Sequence, residues 1–229
     1  MTIRFSKAEM QKAMKTVKKS VIKGTGQPAK IKMTDMDGKT HEMTKKQYCG
    51  LFDNQAKFYQ DRGRYPNYTT YLYDTNTPFV GQNQKFDFNC GSQSLANAST
   101  QVLCYAHEVQ CRRACGTAKG SGTSPAQLIA GAKKLGMKVE RINRSFNSVK
   151  AELSKGHSVI AHIDTGDPDL KGCLEYKSKF GHWISIYDTT SDYKFKVFDP
   201  ARTYKVCNAN KIIKATDGRK IYFYSVKPL

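Results

Sequence analysis

No stretch of this chain approaches the ~20 consecutive apolar residues that cross a bilayer, and the opening Met1-Thr2-Ile3-Arg4-Phe5-Ser6 holds no apolar run of the kind that directs secretion. A membrane partner is not expected. A protein made in the cytoplasm without a signal peptide and acting outside the cell would need another means of release. Acidic residues are scarce as well: 19 Asp and Glu stand against 38 Lys and Arg, a formal charge of +19. That imbalance steers a protein toward polyanions, whether nucleic acid, anionic lipid or an acidic wall polymer, without choosing among them. The basic residues are spread in short clusters such as Lys18-Lys19 and Lys133-Lys134 with no basic tail, a pattern that also suits a merely solvated surface.

The cysteines do not come in an even number. Seven, at positions 49, 90, 104, 111, 115, 173 and 207, leave at least one thiol unpaired. A disulfide framework is therefore not expected, and the working expectation is a reducing environment with one functional thiol and six bystanders. Cys111 and Cys115 have no second Cys or His pair at zinc-finger spacing, so a structural zinc is not expected either.

What is present suits a packed globular chain. Hydrophobic residues at 39% and aromatics at 11% are enough to bury a core, and 229 residues accommodate one catalytic domain with a smaller module. Displaced by 38 residues, the chain matches itself weakly but in register: Phe5-Ser6-Lys7 falls on Met43-Thr44-Lys45, Ala13-Met14 on Leu51-Phe52, and Pro28 on Pro66. Residues 1–74 are thus expected to form a duplicated module, each copy a helix capped by Ser6 or Thr44, then a Gly and Pro turn and an extended segment. The polar, Gly- and Pro-containing stretch 73–85 reads as a linker, and the catalytic domain is placed at 80–229. Within it, helices are expected from Gly91 to Cys104, after Ser124-Pro125 and on to Lys155. Strands follow at 158–163, 183–187, 193–198 and 221–226, where β-branched and aromatic residues concentrate. Helices first and an antiparallel sheet afterwards define an α+β domain.

Cys90 stands where the loop Phe86-Asp87-Phe88-Asn89 meets the helix opening Gly91-Ser92-Gln93. A helix N-terminus stabilises a thiolate, and its free amides can receive the oxyanion formed when that thiolate attacks a carbonyl. Gln84, with Gln82 as competitor, is a side-chain donor for the same oxyanion. His182, in Gly181-His182-Trp183 at the mouth of a strand, is the general base. Asp199, at the end of the next strand and before Pro200, orients the imidazole. His162 reads as a sheet residue or cleft wall. Of Tyr65, Tyr68 and Tyr71, two are expected in the core of the first module, although all three could stack on sugars.

The order Cys, Gly-His, Asp-Pro, with helices before and strands after, resembles papain-like cysteine peptidases, particularly the bacteriocin-processing branch, which a Gln six residues before the Cys also fits. The whole chain resembles the pseudomurein endoisopeptidases of viruses and proviruses of methanogenic archaea, through Asn89-Cys90, Gly120-Ser121-Gly122-Thr123-Ser124-Pro125, Gly181-His182 and Asp199-Pro200-Ala201. Gly63-Arg64-Tyr65-Pro66-Asn67-Tyr68 is similar to pseudomurein-binding repeats, whereas the first copy has Gly26-Gln27-Pro28-Ala29-Lys30 in its place. The resemblance implies hydrolysis of the bond between alanine and the lysine ε-amine in pseudomurein cross-links, with Tyr65, Pro66, Asn67 and Tyr68 holding the wall. It also implies an endolysin-type role in lysis of a methanogen host. Pseudomurein is acidic, so the charge finds a partner without nucleic acid. No cofactor is required for the chemistry. The resemblance is associated with Ca2+ or another divalent cation, for which Asp167 and Asp169, in Asp164-Thr165-Gly166-Asp167-Pro168-Asp169, are the weak candidates. Two other readings remain open: a transglutaminase-like acyl transferase, and a basic nucleic-acid-binding protein without catalysis.

Overall fold

Capping chemistry written in the sequence sets the first half. In the computed structural model, which describes residues 3–71, 74–215 and 222–229, β1 (Arg4–Ser6) ends where Ser6 accepts the Glu9 amide at 3.2 Å and opens α1 (Lys7–Ile22). β2 (Lys30–Thr34) and β3 (Thr40–Thr44) follow. Thr44 then opens α2 (Lys45–Arg62) through reciprocal bonds with Gln47, and β4 (Tyr68–Thr70) completes this part. β1 pairs with β4 and β2 with β3, both antiparallel. Phe5 faces Thr69 and Met43 faces Ile31, so a displacement of 38 residues converts one ribbon's register into the other's with the strands exchanged.

Neither ribbon has a broad sheet to hide its apolar face, and the helices supply one core. Phe5, Met10, Val17, Ile31, Met33, Met43, Tyr48 and Phe52 pack together, and Val80, Leu103 and Tyr105 from beyond residue 74 join them. Polar bonds cross the same boundary: the Tyr105 hydroxyl donates to the Phe52 carbonyl at 2.7 Å, and Gln60 Nε2 to the Ala106 carbonyl at 3.3 Å. Residues 74–89 hold no helix or strand, yet they are strapped down. The Val80 amide donates to Thr100 Oγ1 and the Gln82 amide to Asn97 Oδ1, both on the helix that follows.

That helix is α3 (Cys90–Gln101), succeeded by α4 (Glu108–Cys115), α5 (Pro125–Lys134), β5 (Met137–Ile142), α6 (Phe146–Ser154), β6 (Ser158–Asp164), β7 (Gly181–Thr189), β8 (Lys194–Phe198), β9 (Tyr204–Asn208), α7 (Ala209–Lys214) and β10 (Phe223–Pro228). Six of these strands form one antiparallel sheet in the order β5-β10-β6-β7-β8-β9. Alternation along the strands divides its faces. Ile160, Trp183, Tyr224 and Val226 face α3, α4 and α5. Val159, Ala161, Ile184, Ile186 and Phe223 face the side that α6 and α7 cover. Helices first and an antiparallel sheet after them make the expected α+β domain.

Three details depart from expectation. The stretch read as helical up to Lys155 contains β5, and β9 was not foreseen; both are short strands interrupted by charge. Ile221, expected to begin the last strand, lies outside the described residues and is not one of the three; β10 is described from Phe223. Cys173 and Cys207 are joined in a disulfide with Cα atoms 5.4 Å apart, which corrects the reading of six bystander thiols. An odd count leaves one thiol over but does not forbid a pair, and only the folded chain brings these two together across 34 residues.

Candidate active site

Cys90 is the first residue of α3, and the turn that delivers it is built on a buried carboxylate. Glu108 Oε1 accepts Asn89 Nδ2 at 2.8 Å and Ser92 Oγ at 3.2 Å, with Arg112 Nε 3.3 Å away. The Asn89 Oδ1 atom in turn accepts the Phe86 amide at 3.3 Å. Burying Glu108 would be costly without these partners; with them, the carboxylate fixes both sides of the junction. Gly91 lets the helix approach the sheet closely. A Cβ there would lie 2.6 Å from Thr123 Cβ and 3.0 Å from Trp183 Cδ1. Gly91→Ala is accordingly expected to destabilise the fold by about 1–3 kcal/mol, read as a lowered denaturant midpoint with an unchanged slope.

His182, the second residue of β7, is almost fully buried, with the Cys90 thiol as an electrostatic neighbour on one side. On the other side its Nε2 lies 2.7 Å from Asp199 Oδ1. Asp199 follows β8 and is wholly buried. Its Oδ1 also accepts the Ala201 amide at 2.8 Å, its Oδ2 accepts the Tyr176 hydroxyl, and Arg202 Nε stands 4.0 Å from Oδ2. The three residues named from sequence are therefore in contact in the order thiol, imidazole, carboxylate. Their electrostatics agree with that order. Burial disfavours imidazolium, but the hydrogen bonds to Asp199 and Cys90 outweigh it and raise His182 to about 9. Burial likewise opposes ionisation of Asp199, and the bonds from His182, Tyr176 and Ala201 outweigh it and hold the carboxyl below its usual range.

The His182 shift sets a pH window. Its folded value lies above the unfolded one of about 6.5, so the protonated imidazole contributes stability that is complete below the unfolded value and lost as pH rises through about 9. Any reaction that uses the imidazolium as proton donor should decline over the same upper range. A rate that stays level well above pH 9 in a buffer series would contradict this assignment of the proton.

The remaining thiols are unsuited to the role. Burial pushes Cys49 up to about 12 and Cys115 to about 11, raises Cys104 and Cys111, and two others are locked in the disulfide. Cys90 borders a cleft of about 640 Å3 with Asp87, Phe88, Lys119, Gly120, Ser121, Gly122, Ser178, Phe180 and Gly181. Gly120, Ser121 and Gly122, the first part of the Gly120–Pro125 segment noted in the sequence, thus form one cleft wall.

Other expectations fare variously. Gln84 Nε2 donates to the Phe86 carbonyl at 2.8 Å, and its Oε1 is buried without a partner. An amide nitrogen carries two hydrogens, so that bond accounts for one of them; Gln84 is not among the residues that line the cleft at Cys90. Gln82 Nε2 instead donates to Asp61 Oδ1 at 3.1 Å. His162 stacks on Trp183 with centroids 4.5 Å apart, and burial together with the nearby His182 lowers it to about 4, so it stays neutral. Trp183 is core, its indole donating to the Thr123 carbonyl at 2.9 Å. Tyr65 and Tyr71 pack against the first core, whereas Tyr68 is 49% exposed under the Arg4 guanidinium. Pro66 is buried and Asn67 exposed.

Asp167 and Asp169 do not converge on a common point. Asp167 Oδ1 accepts the Asp169 amide, Asp169 Oδ1 stands 3.9 Å from Lys214 Nζ, and Asp164 Oδ1 accepts the Gly166 amide. Among the described residues no group of three or more His, Cys, Asp or Glu is arranged to hold a metal ion. Alternating carboxylates in a turn cap their own backbone here, which is the commoner use of Asp in such a segment.

Sequence reasoning missed Glu108 and Tyr176. The first lies in a helix that carries no catalytic residue, and the second in the long loop between β6 and β7. A lone tyrosine in a Lys-rich loop gives no local signal of its partner.

No family model matches the chain, and no curated protein matches it. Among solved structures, it is similar to a double-glycine-motif protease from an AMS/PCAT transporter, in complex with its leader peptide. That match has 16% identity, covers 66% of this chain and 92% of that one, and has a TM-score of 0.48. The peptidase domain of Streptococcus ComA, a bifunctional ABC transporter involved in quorum sensing, matches at 17% identity over 64% of this chain and 96% of that one, TM-score 0.48. The same domain of Streptococcus mutans ComA matches at 17% over 64% and 98%, TM-score 0.43. Likeness at this level assigns no residue and no activity, and the roles of Cys90, His182 and Asp199 rest on their geometry.

Proposed function

We propose that this chain is a cysteine peptidase that hydrolyses the Ala–ε-Lys isopeptide cross-link of pseudomurein, as a wall-lytic enzyme of endolysin type. One observation carries the peptidase reading: the free thiol that borders the cleft stands at a helix N-terminus, beside a histidine that an aspartate orients. His182 takes the Cys90 proton, the resulting thiolate attacks the carbonyl carbon, and the oxyanion is received by the Cys90 amide at the start of α3 and by an N–H of Gln84. His182 gives its proton to the lysine nitrogen as the C–N bond breaks, leaving a thioester on Cys90. It then takes a proton from water, whose oxygen attacks the thioester carbon and releases the alanine carboxylate and the thiol.

The substrate is supported by the chain-long resemblance and by the +19 charge, which suits an acidic polymer. The exposed Asn67 and Tyr68, with Arg4 over the Tyr68 ring, present the most accessible part of the wall-binding segment, and Tyr65 and Pro66 shape it from within. Isolated pseudomurein sacculi, incubated with the protein and analysed by mass spectrometry, should release new alanine carboxyl termini paired with free lysine ε-amines. Lysis that yields only new sugar ends would rule the reading out, as would incorporation of a labelled amine in place of hydrolysis.

A further inference from the structure

The loop 165–180 between β6 and β7 is long for a connection without much structure of its own, and loops of that kind usually serve a function. It is tied down at three points. Leu170 and Leu174 are buried in the core on the α6–α7 side of the sheet. Thr165 Oγ1 donates to the Ser178 carbonyl at 2.7 Å and accepts the Phe180 amide at 2.9 Å. Cys173 is joined to Cys207 on β9, whose register places Cys207 opposite Phe195 on β8, the strand that Asp199 follows.

Between these ties the loop presents Tyr176 to the catalytic residues. Its hydroxyl donates to Asp199 Oδ2, while the other carboxylate oxygen holds His182. Its ring centroid lies 5.4 Å from that of His182, and the Arg202 guanidinium covers the ring at 4.9 Å. A carboxylate held at only one oxygen can turn about its Cα–Cβ and Cβ–Cγ bonds, and an imidazole aligned by it would turn too. With both oxygens engaged, Asp199 is fixed in the plane that serves Nε2 of His182.

Resting on the reading of Cys90, His182 and Asp199 as the reacting unit, we infer that Tyr176 is a positioning residue for Asp199, held in place by the Cys173–Cys207 disulfide. The disulfide is thus part of the active-site architecture, and its loss acts on catalysis through Tyr176. Reductant strong enough to open it lowers activity even though it protects Cys90. This places a redox dependence in a cysteine enzyme at a bond that is not its nucleophile.

The test uses the full chain in four forms: wild type, Tyr176→Phe, Cys173→Ala with Cys207→Ala, and all three substitutions together. Tyr176→Phe keeps the ring and its contact with Arg202 and removes only the hydroxyl. The readout is the rate at which iodoacetamide modifies Cys90, followed peptide by peptide by mass spectrometry across the pH range in which His182 titrates. Peptide release from pseudomurein sacculi is measured alongside. Tyr176→Phe and the disulfide-free form should each slow release roughly tenfold and move downward the pH above which release declines, as the imidazolium that protonates the leaving amine loses its aligned acceptor. The combined form should be no worse than either, because both act through one contact.

Unchanged release and pH limit in Tyr176→Phe would overturn the positioning role. Effects that add in the combined form would overturn the link between disulfide and Tyr176. If wild-type Cys90 reacts no faster than Cys104, the reading of Cys90 as nucleophile has failed instead, and the two failures are distinguished by the wild type alone.

Discussion

Replacing Cys90 by alanine is expected to abolish turnover, by at least about 10^4-fold, with the unfolding transition preserved. Nucleophile and base act as a unit, so losing either removes nearly all the covalent catalysis, and what survives comes from binding and the oxyanion site. The fold should tolerate the change because Cys90 lies at the cleft edge, whereas the deep core is carried by Leu95, Trp183 and Leu128. His182→Ala should be as damaging to turnover. It also leaves Asp199 buried without its cationic partner, so that variant should lose stability as well. Steady-state release from sacculi together with thermal unfolding checks both variants. Parent-level lysis by Cys90→Ala would move the search to Cys104, which is the most exposed of the remaining free thiols.

Removing residues 1–74 is expected to unfold the protein. A tethered anchor would leave the catalytic half folded and weaken only the hold on the polymer, by lowering local concentration. The shared core predicts more. Val80, Leu103 and Tyr105 lose their cover, and burying a large apolar side chain is worth roughly 1.5–3 kcal/mol. Three such losses sum to about 5–9 kcal/mol, comparable with the whole stability of a typical domain. The Tyr105 hydroxyl and the Ala106 carbonyl would also lose their partners on α2. Circular dichroism of the fragment 75–229 should show no cooperative melt. A fragment that melts cooperatively and still cleaves a small soluble isopeptide would show that the two parts are energetically separable.

How much was legible from the sequence depends on how local the signal is. Ser6, Thr44 and Ser124 were readable as helix starts because a cap acts within three residues. Cys90, His182 and Asp199 were readable because each stands at a junction, a helix start or a strand end, where a reactive side chain is held at an edge. β5 was lost because Met137, Val139 and their charged neighbours alternate over only six residues amid helices. The disulfide, the Glu108 brace and the Tyr176 contact join residues 34, 19 and 23 positions apart, and nothing in local pattern records such pairs. The same holds for the shared core, since Tyr105 and Phe52 are 53 residues apart and each reads as an ordinary buried aromatic in its own segment.

The central claim is that Cys90, His182 and Asp199 work as nucleophile, base and orienter. Brief treatment of the native protein with iodoacetamide at neutral pH, followed by mass spectrometry of every cysteine peptide, tests it without assuming any substrate. Cys90 should be modified much faster than Cys49, Cys104, Cys111 or Cys115, and the preference should vanish in His182→Ala. Labelling that instead follows exposure, with Cys104 reacting first and His182→Ala behaving as the parent does, would contradict it.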